Sequence, residues 1–324
     1  MKDIIRIVMK ACNPNGTQAQ AGMVKFQNGN LIAYGGVFCI QAPVEVTAEC
    51  AFNPQTLLAF HRKDRQGGSY TVKDNKLILK HKRERVTLKC LPASEVGIID
   101  VFTDKRKSKG ITQRAAKVLE RCIDTSHHDH KYQGVLIRDG YVCATNGHIL
   151  FALKVNSLKG IECIVPYDTI KFIATHNEDM EGVAFDGDNI KFFYPSEITI
   201  TSRLITGADD YVDVFSIFDH EYEDVEIDGS IAEDLESLNS EFIGLSNNHI
   251  LYQIGKEDIG QIDLDDAEEE YSFTVSKKYL DILLDITRSN NFQVSTNGNI
   301  LVADGGKFFK AGCVLCRNPI KPIA

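Results

Sequence analysis

No stretch of this 324-residue chain approaches the ~20 consecutive apolar residues that a membrane-spanning helix requires. A signal peptide is not expected over residues 1–10, where Lys2, Asp3, Arg6 and Lys10 are interspersed with Ile4, Ile5, Ile7 and Val8. The nine cysteines follow no regular framework, so reduced thiols in a reducing compartment are expected rather than a disulfide-built secreted domain. No Gly-rich phosphate loop, nucleophile elbow or paired metal-binding His motif occurs. What is there is an ordinary globular composition, 43% hydrophobic and 25% charged. The chain is too long for one ordinary core. The expectation is a cytoplasmic protein of two or three domains, with no membrane contact and no cofactor.

Charge is unevenly spread. The net value of −9 conceals a basic first third, where residues 1–110 carry 18 Lys+Arg against 9 Asp+Glu. Residues 111–215 carry 10 against 15, and residues 216–324 carry 8 against 21. A polyelectrolyte partner or self-assembly is the reading such asymmetry suggests.

The chain repeats itself. A hairpin pattern at Val24–Tyr34, centred on Asn28-Gly29, returns at Val135–Thr145 around Asp139-Gly140 and at Phe242–Tyr252 around Asn247-Asn248. A second hairpin follows each, at Tyr70–Leu79, Gly182–Phe192 and Phe292–Val302, and then a β-rich run at Arg85–Leu91, Glu197–Ile205 and Lys307–Leu315. Helices are expected at Lys2–Ala11, Gln113–Ile123 and Ile231–Leu238, the last with a Ser230/Glu233 capping box. A second helix should start at Asn53-Pro54, Pro166 and Ser276. Lys105–Gly110 and Asp219–Asp228 read as linkers. The fold class is therefore α+β, with three similar domains at 1–110, 111–215 and 216–324, each two helices on antiparallel sheets.

Three segments carry a family resemblance. They are Ala144-Thr145-Asn146-Gly147-His148-Ile149-Leu150 followed by Val165-Pro166; Ile200-Thr201-Ser202-Arg203-Leu204-Ile205-Thr206-Gly207 running into Asp209-Asp210-Tyr211; and Lys89-Cys90-Leu91-Pro92-Ala93. Together they resemble the bacterial DNA polymerase III beta subunit, the sliding clamp, in order over essentially the whole chain. The chain departs from the family's Phe-Pro-Asp-Tyr turn, keeping only Asp209-Asp210-Tyr211, and has Val314-Leu315-Cys316-Arg317-Asn318-Pro319-Ile320 in place of the family's methionine- and proline-bearing C-terminal tail. Such departures are those of a divergent member, cellular or virus-encoded.

The resemblance implies a DNA clamp fold closed into a head-to-tail homodimer ring around duplex DNA. It implies a non-catalytic processivity factor that tethers the DNA polymerase and is opened by a clamp loader. The DNA-facing candidates are Lys10, Arg62, Lys63, Arg65, Arg114, Lys117, Arg121, Lys171, Lys277, Lys278 and Arg288, since loose phosphate attraction is sequence-blind. The acidic Glu233, Asp234 and Glu236 run against that pattern in the last third. By resemblance, Thr145, Gly147, His148, Leu150, Val314, Leu315 and Cys316 border a groove for partner peptides. The dimer interface is expected at Val86 and Leu88 against Leu238.

The competing class is a hydrolase or metalloenzyme using His127, His128, Asp129 and His130. Those histidines are too close in sequence to share a helix face at i, i+4, and a solvated loop is the plainer account. Three copies of one domain also have no purpose in a single catalytic site. Cys313 and Cys316 have C-x-x-C spacing, but on a strand they would point to opposite faces and read as packing thiols.

Overall fold

The computed structural model describes residues 1–13, 20–61, 68–101, 106–107, 109–214, 216–218, 221–226, 235, 238–246, 249–254, 258–263, 272–287, 291–295, 299–305 and 308–316. In the first third, α1 (Lys2–Met9) precedes β1 (Val24–Gln27), β2 (Asn30–Tyr34), β3 (Phe38–Pro43) and β4 (Cys50–Phe52). Then come α2 (Pro54–Phe60), β5 (Ser69–Lys73), β6 (Lys76–His81) and β7 (Glu84–Lys89). A short β8 (Arg106–Lys107) leads to the second third: α3 (Gln113–Arg121), β9 (Gly134–Arg138), β10 (Tyr141–Thr145), β11 (Ile149–Lys154) and β12 (Cys163–Pro166). It ends with α4 (Tyr167–Thr175), β13 (Gly182–Phe185), β14 (Asn189–Phe193) and β15 (Thr199–Arg203). The last third holds β16 (Tyr222–Glu226), β17 (Phe242–Ser246), β18 (His249–Ile254), β19 (Asp258–Asp263) and β20 (Ser272–Ser276). It closes with α5 (Lys277–Thr287), β21 (Asn291–Ser295), β22 (Ile300–Asp304) and β23 (Phe309–Val314). The helix expected over Ile231–Leu238 falls mostly outside the described residues; within it, Leu235 is helical and buried.

Local chemistry explains the elements. Asn28 and Gly29 have φ of 50° and 70°, and Asp139 and Gly140 have 52° and 77°. Paired left-handed residues of this kind match the twist of the strands they join. Asn53 caps α2 by accepting the Gln55 N–H at 2.9 Å, with Pro54 in the first helical position. Each helix lays one apolar stripe on a sheet: Ile5 and Val8 from α1, Ile170 and Ile173 from α4, Leu280 and Leu283 from α5, all at most 1% exposed. Phe26 and Phe52, on neighbouring strands, meet with ring centroids 5.0 Å apart. Burial of each such side chain contributes ~1.5–3 kcal/mol.

Sheet topology is the feature that sequence periodicity does not convey. The chain packs as two compact units, Met1–Ala116 with Gly160–Thr206, and Lys117–Lys159 with Gly207–Ala324. In the first unit an eight-stranded sheet runs β4-β1-β2-β3-β15-β14-β13-β8, so strands of the first third continue into strands of the second. The junction pairs Ile200 with Ile40 and Thr201 with Cys39. In the second unit the order β9-β10-β11-β23-β22-β21-β16 repeats the device, with Leu150 opposite Gly312 and Phe151 opposite Ala311. A half-repeat is left over in each unit: β5-β6-β7 in the first and β19-β18-β17-β20 in the second.

Two stretches expected as linkers are instead partly strand. Arg106–Lys107 pairs with Gly182 and Val183, and Tyr222–Glu226 pairs along the whole of β21. In both places an edge strand offers unpaired backbone groups, and the adjoining chain satisfies them regardless of its charge.

Candidate functional site

The β10–β11 turn is built around side chains that hold their own backbone. Thr145 donates its hydroxyl to the Ile149 carbonyl at 2.8 Å and accepts the Gly147 N–H at 3.1 Å. Asn146 Oδ1 accepts the N–H groups of His148 and Ile149 at 2.9 and 3.0 Å. Gly147 sits at φ +83° with nothing within 4 Å of where a Cβ would be. A left-handed position of that kind favours glycine. The turn is therefore rigid, and it holds the His148 side chain in solvent.

Other elements converge on the turn. The Val314 N–H donates to the His148 carbonyl at 2.9 Å, fixing the end of β23 beside it. Val314 is 46% exposed, whereas Leu150 and Leu315 are buried and Cys316 is half-buried. The structure thus brings Gly147, His148 and Val314 to one surface and places Thr145, Leu150 and Leu315 beneath it. Tyr279, on the first turn of α5, stacks on His148 with centroids 6.0 Å apart and planes 17° from parallel. Burial raises the Tyr279 phenol, and a hydrogen bond with Asn146 opposes the rise. Tyr279 is a groove residue that sequence reasoning missed; an aromatic beside Lys277 and Lys278 on an otherwise polar turn was the available signal.

The basic candidates divide. On α3, Arg114, Lys117 and Arg121 are exposed while Ala115, Ala116 and Leu119 are buried. Arg121 is, however, hydrogen-bonded and ion-paired with Asp285 of α5. Lys277 is bound to Asp281 at 2.8 Å with only 12% of its side chain exposed, so its charge is largely spoken for. Lys278 is exposed with its ammonium 5.7 Å from the Tyr279 ring centroid. Lys10 and Lys171 are exposed on the first unit. Arg62, Lys63, Arg65 and Arg288, and the acidic Glu233, Asp234 and Glu236, lie outside the described residues.

At β7 the expectation changes in detail. Leu88 is 8% exposed and paired with the buried Leu77, so its side chain belongs to the core beneath β6. Strand alternation leaves Thr87 exposed and Val86 half-buried. Their counterparts at the completed junction, Thr201 and Ile200, are both 0% exposed. On β19, Ile259 is likewise half-buried where Cys39 and Leu150 are buried. Leu238 is half-buried and donates its N–H to Leu235. Among the described residues no strand lies beyond β7 or beyond β19.

The His127–His130 stretch is locally tied. His127 Nδ1 faces the Asp129 N–H at 3.1 Å, its ring stacks on His128, and Asp129 is spent on Lys131. Among the described residues no group of three His, Cys, Asp or Glu side chains is disposed to hold a metal ion. All nine cysteines are free thiols. Burial pushes Cys122 and Cys143 up to about 12, so both are protonated near neutrality. Cys313 is buried in β23 and Cys316 lies past its end. No helix among the described residues is long and apolar enough to cross a membrane.

Thrice-repeated helix-and-sheet units, joined by sheets that run from one repeat into the next, define the fold of the DNA sliding clamps. In particular, the chain shares its fold with the bacterial polymerase clamps. Solved structures that match it include the Helicobacter pylori beta clamp in complex with diflunisal, with a TM-score of 0.80 at 16% identity. The DNA polymerase III subunit beta from Pseudomonas aeruginosa gives 0.81 at 14%, and the DNA polymerase sliding clamp from Bacillus subtilis gives 0.80 at 13%. Each match covers 98% of this chain and 97% of the other. A Helicobacter pylori beta clamp bound to a DNA ligase peptide matches with a TM-score of 0.78 at 17% identity. No family model and no curated protein matches the sequence.

Proposed function

We propose that this chain is a DNA sliding clamp: a non-catalytic processivity factor that closes into a head-to-tail homodimer around duplex DNA and tethers a DNA polymerase. The observation that carries the reading is the match in fold over 98% of the chain. In support, the two left-over half-sheets are complementary. In one, β7 holds Arg85 and Lys89; in the other, β19 holds Asp258 and Asp263. Opposite fields of this kind speed encounter and disfavour pairing of like ends. Joined as β3 joins β15, they complete a third long sheet across each subunit boundary.

Within such a ring Lys10 at the end of α1 and the exposed cations of α3 and α4 contact phosphates without reading sequence. The three domains at 1–110, 111–215 and 216–324 are the repeating units of the ring. The surface formed by Gly147, His148, Tyr279 and Val314 takes the short peptides of polymerase, clamp loader and other partners. The ligase peptide on the Helicobacter pylori clamp is a precedent for that class of partner. A cytoplasmic location follows from the role.

Retention on circular DNA tests the whole reading. Protein incubated with nicked plasmid should co-elute with it in high salt and be shed when a restriction enzyme linearises the circle. Retention that survives linearisation, or no retention on the circle, overturns the proposal.

A further inference from the structure

Where α1 ends against α4, the first unit contains a cleft of about 600 Å³, large enough for a ligand-sized group. Its floor is aromatic: Phe38 and Phe172 are buried, with ring centroids 6.0 Å apart. Lys10, Lys171 and Asp168 are exposed on its wall and leave a net charge of +1. Lys10 donates from Nζ to the neutral Thr175 Oγ1 at 3.2 Å and stands 5.3 Å from the Phe172 ring centroid.

The second unit shows what fills the equivalent place. The Arg203 N–H donates to the Val37 carbonyl at 3.0 Å, as the Val314 N–H donates to that of His148. The β2–β3 turn therefore matches the β10–β11 turn, with Gly35 in the place of Asn146. The buried stripe Ile5, Val8, Ala11 matches Ala116, Leu119, Cys122, which sets Lys10 at Arg121 and Asn13 at Asp124. Counted from the first residue of each helix, Thr169 and Thr175 of α4 match Tyr279 and Asp285 of α5. Tyr279 stacks on His148, hydrogen-bonds with Asn146, and lies near enough to Cys122 and Asp124 for their charge to bear on its phenol. The residues matching those four neighbours are Val37, Gly35, Ala11 and Asn13, and all four line the cleft. In the second unit the chain thus puts its own phenol ring into this place. In the first, Thr169 does not reach it, being fully buried with its Oγ1 2.7 Å from Ser202 Oγ. Gly35 withdraws a second side chain, and a Cβ there would come 2.1 Å from the Ala11 carbonyl oxygen.

We propose that the α1–α4 cleft is a second peptide seat, which takes an aromatic side chain from a segment of a partner protein together with a carboxylate beside it. The ring stands where Tyr279 stands in the second unit and covers Phe38 and Phe172, whose rings favour an edge or an offset face of another aromatic. The carboxylate meets Lys10 as Asp285 meets Arg121. The net positive wall draws an acidic segment and disfavours a basic one. The seat shares no residue with the His148 surface and does not rest on the DNA reading.

The test is fluorescence anisotropy of the full-length protein with a fluorescein-labelled peptide, Gly-Asp-Tyr-Asp-Gly. Alanine in place of the peptide's tyrosine gives up the burial of a ring and should weaken binding roughly 10-fold or more. Asparagine in place of both aspartates should weaken it several-fold. Val37→Tyr hangs a ring into the cleft from its own turn and should weaken the peptide by at least about 10-fold, as loss of the buried ring does. Should that variant fold poorly, Lys10→Gln should still abolish the difference between the aspartate and asparagine peptides. Val314→Asp, which alters the His148 surface, should leave binding of this peptide as it is. Failure of the wild type to bind the peptide, or equal binding of the tyrosine and alanine peptides, overturns the seat. Loss with Val314→Asp but not with Val37→Tyr places the peptide on the His148 surface and overturns it as well. Displacement by thymidine monophosphate as effective as by unlabelled peptide makes this a nucleotide site and overturns the peptide assignment. Plasmid retention is measured without peptide, so the clamp reading stands or falls separately.

Discussion

Cysteines placed at Thr87 and Ile259 report whether the ring closes and in which register. The register comes from the two junctions already complete within the chain. Thr201 lies opposite Cys39 in one, and Gly312 lies opposite Leu150 in the other. The β6–β7 pair Leu77 and Leu88 corresponds to Ile190 and Ser202, and the β18–β19 pair His249 and Asp263 corresponds to Asn30 and Pro43. Carried over, these matches set Thr87 of one copy opposite Ile259 of the other and Val86 opposite Gly260. Directly opposed Cβ atoms lie about 4.5–5.5 Å apart, and diagonal neighbours about 7–8 Å. A disulfide needs about 3.5–4.5 Å, within reach of the first and not of the second. Thr87→Cys with Ile259→Cys should then give a dimer-sized band on a non-reducing gel, with Cys12 and Cys316 changed to Ser to remove the half-buried thiols. Thr87→Cys with Gln261→Cys should remain monomeric. Equal cross-linking of both pairs, or of neither, would refute the register argument.

Three further outcomes are expected. Val314 exposes nearly half its surface, on the order of 70 Å², and at ~25 cal/mol per Å² its removal by Val314→Asp should weaken a polymerase-derived peptide roughly 20-fold in calorimetry while the protein stays folded. Burial holds His176 below its ordinary 6.5, with Glu178 opposing, so the unfolded chain takes up a proton that the folded chain refuses. Stability should therefore fall as pH drops below that value, and His176→Phe should flatten the dependence in denaturant titrations. Gly35→Ala drives a methyl to 2.1 Å from the Ala11 backbone and should cost ~1–3 kcal/mol or more in thermal unfolding, whereas Gly147→Ala meets no atom and bears only the ~1–2 kcal/mol left-handed penalty.

Periodicity and turn chemistry made the elements legible. Asn28-Gly29, Asp139-Gly140 and Asn53-Pro54 each announce a backbone conformation that few other residues adopt, so hairpins and helix starts fall where expected. Alternation along a strand says which side chains share a face but not which strand lies alongside. The junctions β3–β15 and β11–β23 were therefore invisible, and so was the conversion of charged linkers into β8 and β16. The same limit explains Leu88, whose inward face depends on the strand opposite. Of the two ion pairs that quiet the basic helices, Lys277–Asp281 was readable at i, i+4 spacing. Arg121–Asp285 spans two elements and was not. His148 was singled out by resemblance, while its stacking partner Tyr279 needed the fold to bring α5 to the turn.

The sheets that pass from one repeat into the next also constrain how the chain can emerge from a ribosome. On the β15 side Gln41 pairs with Thr199, and on the β23 side Ile149 pairs with Cys313. Contacts so remote in sequence slow folding, since long loops must close before pairing stabilises them. Local hairpins such as β1–β2 can form early, but each leaves an edge open during synthesis, a template for misplaced strands. Nascent chains should thus depend on protection of the β3 and β11 edges during elongation. The first edge stays exposed until Arg203 has cleared the exit tunnel, and the second until Val314 follows.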